Sequence, residues 1–347
     1  YHAEHPNLPF LYDAEQLAGF LGISRGELND IVNHIQKEYK EAHLPKKNGT
    51  YRSLCVPSIR LRFCQDPIKE KILPQLPVSK FATVYQKGST TRGNAEPHIG
   101  KKFLLKLDIT DFFGSITFEQ VQRTAFNTRY VSRQVGYLLT SLCCKDDSLP
   151  QGAATSPALS NIVMYRFDDY IGRWCSQRQI AYTRYCDDMT FSANRPLYGV
   201  YQKVKTMLRE MGFELNESKT HFIGNDNRQS VTGLVVNEKL SIPSGYKRDL
   251  RQEVYYALKF GVEDSVLHGH RSDFVEDGRP ICCPTYMLHL MGKVQYVLQI
   301  EPENLWFKDA QKKLLAYIYE HYSESLSYYL HFNKNGKGKG MYEQSNP

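Results

Sequence analysis

Two adjacent aspartates, Asp187 and Asp188, stand in the stretch IAYTRYCDDMTFSAN at residues 180–194. Runs rich in aromatic and β-branched residues flank a short polar centre, which predicts a β-hairpin with the acidic pair at or beside its turn. Side chains alternate along a strand, so neighbouring aspartates cannot share a face in mid-strand, whereas at a tight turn both can approach one point. A lone Asp-Asp is also ordinary turn chemistry on a solvated surface. Here Tyr182, Tyr185, Cys186, Met189 and Phe191 predict a half-buried hairpin, and like charges against a low-dielectric wall repel unless a cation sits between them. A divalent metal meets that need. Oxygen donors suit Mg²⁺ over zinc, with Mn²⁺ as a substitute.

A third carboxylate is needed, and KKFLLKLDITDFFGSI supplies one. This run is apolar through Leu104, Leu105 and Leu107 and ends at Asp108. The order strand, helix, acidic hairpin, helix, strand folds as an antiparallel sheet backed by helices and can bring Asp108 beside the hairpin turn. Three carboxylates at one sheet edge can hold two Mg²⁺ ions about 3.5–4 Å apart, which suits activation of a 3′-hydroxyl and stabilisation of a departing pyrophosphate. The chemistry expected of Asp108, Asp187 and Asp188 is nucleotidyl transfer.

The elements that must position these residues follow from pattern and punctuation. A chain of 347 residues with 41% hydrophobic content buries a large core and is expected to fold as two or three subdomains. Its formal charge of +7 favours a polyanionic partner. The eight cysteines form no Cys-x-x-Cys repeat, which argues against zinc and for reduced thiols in a cytoplasm. No apolar run is long enough to span a bilayer, so no membrane partner is expected. SRGELNDIVNHIQKEY opens with a capping box, Ser24 and Glu27, and spaces Leu28, Ile31, Val32, Ile35 and Tyr39 as one amphipathic helix. LPKKNGTYRSLCVPS reads as a basic turn at Asn48-Gly49 feeding a strand. In LPQGAATSPALSNIVMYRFDDYIGRWC a glycine-containing loop precedes a long helix, with Ser156 as N-cap and Pro157 as first residue. Residues 197–211 read as another helix and VTGLVVN as a strand. Beyond Gly245 the pattern is helical. There Lys247, Arg248 and Arg251, at i, i+1 and i+4, either track a nucleic-acid backbone or form a plain solvated face. The tail NKNGKGKGMYEQSNP, residues 333–347, reads as flexible and basic.

YCDD after LPQGAATSPALSN after LDITDFF, in that order, resembles the palm motifs of reverse transcriptases, with Cys186 in place of the commoner Ala or Met. NAEPH, Asn94 to His98, resembles the Asn-Ala-x-x-His motif of the retron enzymes, and Val231, Thr232 and Gly233 their Val-Thr-Gly motif. Five strings in order are a specific signal, and they cover residues 40 to 240. The resemblance implies an α+β right-hand polymerase with fingers, a ferredoxin-like palm and a helical thumb. Its expected boundaries are 1–100 for N-terminal helices and fingers, 101–240 for palm with a fingers insertion at about 116–148, and 241–332 for thumb.

The resemblance also implies roles. Asp108, Asp187 and Asp188 match the metal carboxylates, and Ile109 would lend a backbone carbonyl. Asp111 and Phe112 would cradle the incoming triphosphate through their backbone. Phe113 matches the aromatic gate that excludes a ribose 2′-hydroxyl, although core packing is the alternative for such a residue. Gln151 and Gly152 match the loop that touches nucleotide and template. Arg52 matches the triphosphate-gripping fingers residue, with Lys46 or Lys47 assisting. Lys219 matches a general acid toward pyrophosphate, with a solvated turn as the alternative. Asn94, His98 and the Val-Thr-Gly residues would grip a structured non-coding RNA that serves as primer and template, although a lone histidine such as His98 is more often a hydrogen-bonded structural residue and Val-Thr-Gly also fits plain strand. Deoxynucleoside triphosphates are the implied substrates, and a branched RNA-linked DNA begun at the 2′-hydroxyl of a guanosine is the implied product. A separate effector in anti-phage defence completes the implication. Group II intron and diversity-generating reverse transcriptases are the rivals within the class, and a catalytically silent RNA-binding scaffold is the rival outside it.

Overall fold

The computed structural model describes residues 8–45, 49, 51–127, 130–268, 274–276, 279–280 and 283–334. Lys46, Lys47 and residues 335–347 of the basic tail lie outside them. The chain divides into two compact units after Gln229.

In the first unit, α1 (Ala14–Leu21) and α2 (Arg25–Asn33) precede a hairpin of β1 (Tyr39–Pro45) and β2 (Tyr51–Pro57). The capping box forms as expected: the Glu27 N–H donates to Ser24 Oγ and the Ser24 N–H to Glu27 Oε2, at 3.2 and 2.8 Å. The helix it starts is shorter than the apolar spacing predicts. It stops at Asn33, and Tyr39 is buried from a strand instead, because seven residue pairs with β2 outweigh helical periodicity there.

Next come α3 (Ile59–Pro67), α4 (Thr91–Ala95), β3 (Phe103–Asp108), α5 (Phe118–Val121), α6 (Arg133–Cys143), α7 (Ser156–Ser176), β4 (Ala181–Tyr185), β5 (Asp188–Ala193), α8 (Tyr198–Glu210) and β6 (His221–Gly224). The four strands from β3 to β6 form one antiparallel sheet in the order β4-β5-β3-β6, the ferredoxin-like arrangement. Alternation sorts its two faces. Leu105, Leu107, Met189 and Phe191 turn toward α7 and α8, joining Leu159, Phe167, Ile171, Val204 and Leu208 in the core. Lys106, Asp108, Asp188 and Thr190 take the other face. Thr155 rather than Ser156 occupies the N-cap position of α7, and Ser156 Oγ instead donates to the Pro150 carbonyl at 2.8 Å.

The second unit opens with β7 (Ser230–Val231) and β8 (Leu234–Val235), continues through α9 (Ser244–Phe260) and α10 (Val262–His268), and passes a short hairpin of β9 (Val275–Glu276) and β10 (Arg279–Pro280). It ends with α11 (Cys283–Ile300) and α12 (Leu305–Lys334). Leu250 and Val254 of α9, Leu290 and Val294 of α11, and Phe307 and Leu314 of α12 are buried. Helix α12 is kinked at Tyr322. VTGLVVN is a tight hairpin and not a single strand: Thr232 and Gly233, at φ 45° and 80°, turn between β7 and β8. Two positive φ values with glycine second are the signature of a two-residue hairpin loop. No helix among the described residues is long and apolar enough to cross a membrane, and the seven described cysteines are free thiols.

Candidate active site

Strand register brings the carboxylates together. Tyr185 pairs with Asp188 across a turn of two residues, Cys186 and Asp187, while Asp108 pairs with Asp188 across the β3–β5 ladder. The Ile109 N–H donates to the Asp187 carbonyl at 3.2 Å and ties the turn to the end of β3. Cys186 holds φ 61°, a left-handed conformation that such a turn normally gives to glycine.

A cation already stands at this edge. Lys219 Nζ donates to both oxygens of Asp108 at 3.0 Å, and the Asn216 N–H fixes the Asp108 carbonyl at 2.8 Å. Burial raises the Asp187 carboxyl above its ordinary value, with the charge of Asp108 adding to it. The Asp188 carboxyl is pushed up to about 6, by the surrounding protein first and by Asp187 next. Asp188 is nonetheless exposed, so solvent screens part of that penalty. Among the described residues no three acidic, histidine or cysteine side chains are drawn into a finished metal cage. The donor chemistry does fit a hard divalent cation: burial and carboxylate repulsion make two carboxyls resist ionisation, and the third pairs with an amine.

Beyond Asp108 the chain turns sharply. Asp111 is left-handed at φ 41° and exposed, its N–H-accepting carbonyl bonded to Ser115 at 2.8 Å. Its carboxylate folds over Gly114, where a Cβ would lie 2.2 Å from Oδ2. The Phe112 side chain is core, against Phe213, so only its backbone faces outward chemistry. Phe113 is half-buried, its ring 5.5 Å from that of Phe112. The loop of Gln151 and Gly152 is held by β2, because the Cys55 N–H donates to the Gln151 carbonyl at 2.7 Å. Gly152 sits at φ 121°, and a Cβ there would meet the Cys55 carbonyl oxygen at 2.8 Å. Arg52 is exposed on the same strand.

Other expectations are corrected. Asn94 and His98 are 1% and 0% exposed, so neither can grip RNA directly. His98 places its ring nitrogens 2.7 Å from Ser192 Oγ and 2.9 Å from Thr183 Oγ1, and Thr83 donates to Asn94 Oδ1 at 2.6 Å. Burial drives His98 down to about 3, so it is neutral and structural. Of the Val-Thr-Gly residues, Val231 is buried and only the turn reaches the surface. Lys247 is paired with Glu301 at 2.6 Å, Arg251 is exposed with its guanidinium over Trp306 and Phe307, and Arg248 is exposed beside Asp249, so only Lys247 of the three is drawn inward. An i, i+4 pair shares a helix face, but the i+1 residue points some 100° away.

Sequence reasoning missed the residue under the acidic turn. Arg184 is wholly buried on β4, and so is its partner Asp168 on α7. Its Nη1 donates to the Cys186 carbonyl at 2.8 Å. The available signal was an arginine on the core-facing register of a strand, alongside Tyr182.

A ferredoxin-like sheet with three carboxylates at one edge defines the palm of a nucleotidyl-transferring polymerase. Residues 44–236 match the family model described as "Reverse transcriptase (RNA-dependent DNA polymerase)". The retron Mx65 reverse transcriptase of Myxococcus xanthus is 31% identical over 320 residues, covering 85% of this chain and 70% of that protein. The retron Ec86 and Ec83 reverse transcriptases of Escherichia coli are 32% and 33% identical, covering 72% and 62% of this chain and 79% and 75% of theirs. The chain belongs to the retron-type reverse transcriptases and is an RNA-directed DNA polymerase that works with divalent metal, an RNA partner and nucleotide substrates.

Proposed function

We propose that this enzyme uses a structured non-coding RNA as both primer and template, starts DNA synthesis from the 2′-hydroxyl of a guanosine in it, and leaves a branched RNA-linked DNA. The observation that carries the catalytic part is the Asp108–Asp188 register pair beside the Asp187 turn. Asp108, Asp187, Asp188 and the Ile109 carbonyl would hold Mg²⁺, which supplies Lewis-acid activation of the attacking hydroxyl and charge neutralisation at the phosphate. Lys219, whose Nζ lies 3.0 Å from Asp108 Oδ1, would give a proton to departing pyrophosphate. The left-handed Asp111 turn, Gln151, Gly152 and the exposed Arg52 orient the triphosphate, and Phe113 tests its sugar. The Thr232-Gly233 turn, Arg248 and Arg251 are the outward parts of the proposed RNA contacts.

In this reading residues 1–100 carry the fingers, 101–240 the palm and 241–332 the thumb. A separate effector would act with the enzyme in anti-phage defence, as the family resemblance suggests. Primer extension with and without Mg²⁺, joined to sequencing of co-purifying nucleic acid, tests the proposal. A branched RNA–DNA species and strict Mg²⁺ dependence are expected; extension unaffected by chelation, or linear DNA alone, overturns it.

A further inference from the structure

We propose that Arg184 is a positioning residue for the acidic turn: its buried guanidinium, anchored on α7, holds the Cys186 carbonyl and so fixes where Asp187 and Asp188 stand. The side chain lies on the core face of β4, opposite the face of Asp108 and Asp188, so it acts through the turn and not on substrate.

Its donors are divided between anchor and turn. Nε lies 2.9 and 3.1 Å from the two Asp168 oxygens, and Nη2 is 2.5 Å from Asp168 Oδ2 and 3.1 Å from Asn161 Oδ1. Nη1 spans to the Cys186 carbonyl. Tyr182 donates to Asp168 at 2.7 Å, which fixes the acceptor in turn. The Arg184 main chain is clamped as well: its N–H donates to Phe81 O and its carbonyl accepts from Thr83 N, both at 2.8 Å. Asn161 Nδ2 secures Val84 O at 2.8 Å, and the next residue, Tyr85, places its hydroxyl 3.4 Å from Cys186 Sγ.

Two facts give this hub a purpose beyond stability. Replacing a buried ion pair by apolar packing of the same volume is often neutral or even stabilising, so stability alone does not account for this one. Both residues that meet at the turn are non-glycine and left-handed, Cys186 at φ 61° and Tyr85 at φ 60°. Such conformations persist only where the surroundings over-determine them. Among the described residues, two ties hold the turn's carbonyls from the core: the Ile109 N–H on Asp187 and the guanidinium fork on Cys186, and the fork is the side-chain one.

Arg184→Lys tests this, because the ammonium can pair with Asp168 but has no fork to reach Cys186 as well. The expected result is a fall in kcat for primer extension of at least about tenfold, dNTP KM within about threefold, and a rise in half-saturating Mg²⁺. Val204→Ala, a core truncation in α8, is the reference for lost stability alone. Cys186→Gly, which accepts the left-handed turn without strain, should restore part of kcat in the Arg184→Lys background. If Arg184→Lys does not fold, Asn161→Ser reads the same hub and should lower kcat about threefold. Equal behaviour of Arg184→Lys and Val204→Ala at matched loss of Tm, no rescue by Cys186→Gly, or an unchanged kcat in Asn161→Ser overturns the proposal. It rests on the catalytic assignment of Asp187 and Asp188. That assignment fails separately, if Asp187→Asn retains activity.

Discussion

Gly152 combines φ 121° with a Cβ direction aimed at the Cys55 carbonyl, so Gly152→Ala strains this loop and alters no side chain of the acidic edge. An L-residue in that conformation costs about 1–3 kcal/mol. The carbonyl it meets, at 2.8 Å, is main chain of β2 and cannot rotate aside. Relief requires the loop to retreat, which breaks the 2.7 Å bond from Cys55 N–H to Gln151 O and adds about 1 kcal/mol. The working loop conformation is then disfavoured by about 2–4 kcal/mol. At 1.4 kcal/mol per decade, kcat/KM for single-nucleotide incorporation should drop roughly 30- to 700-fold. Steady-state primer extension at varied dNTP reads this directly. Gly212→Ala is the control: its φ of 84° imposes similar strain, but a Cβ there meets nothing within 4 Å. It should lower Tm and leave kcat/KM unchanged. A Gly152→Ala enzyme within threefold of wild type would refute the proposal that β2 holds this loop for nucleotide binding.

Asp187→Asn should abolish DNA synthesis and the Mg²⁺-dependent rise in Tm while leaving the fold intact; extension near the wild-type rate would remove Asp187 from the metal site. Asp188→Asn should stabilise the metal-free enzyme. Its carboxyl is raised to about 6, so the folded state binds the proton more tightly and stability falls as pH climbs from about 4 through 6. The shift corresponds to about 3 kcal/mol at pH 7, which solvent screening at this exposed group cuts to about 1; Tm in EDTA at pH 7.5 should rise roughly 2–4 °C, and an unchanged Tm–pH profile would count against it. Phe113→Ala should raise ribonucleotide over deoxyribonucleotide incorporation by at least about tenfold, whereas a loss of both activities with a falling Tm would mark the ring as packing alone.

The acidic hairpin was legible because period-two alternation survives in the sequence, and a two-residue turn leaves little freedom in register. Asp108 was legible for the same reason, as the end of an apolar strand. The helix at Tyr198–Glu210 falls within one residue of its expected ends. Tyr39 was misplaced because its spacing fits a helix as well as a strand, and only pairing with β2 decides. For His98 the structural alternative holds, and local sequence could not name its partners, because Thr183 and Ser192, like the Thr83 that meets Asn94, converge from distant segments. Arg184 and Asp168 were invisible on the same ground: each looks like a solvated charge until the other neutralises it at 0% exposure. Local pattern reports which face a residue takes, not which distant charge will meet it there.

Helix α7 runs 21 residues, about 30 Å, without a break. It begins four residues after Gly152 and carries Asn161 and Asp168, which grasp Arg184 and through it the Cys186 carbonyl. One stiff rod thus has the Gln151–Gly152 loop at its head and the anchor of the carboxylate turn along its flank. Any axial slide of that rod is delivered to both at once. If that loop holds the triphosphate as proposed, loading of the nucleotide and alignment of the aspartates would be mechanically geared through α7, without any direct contact between them.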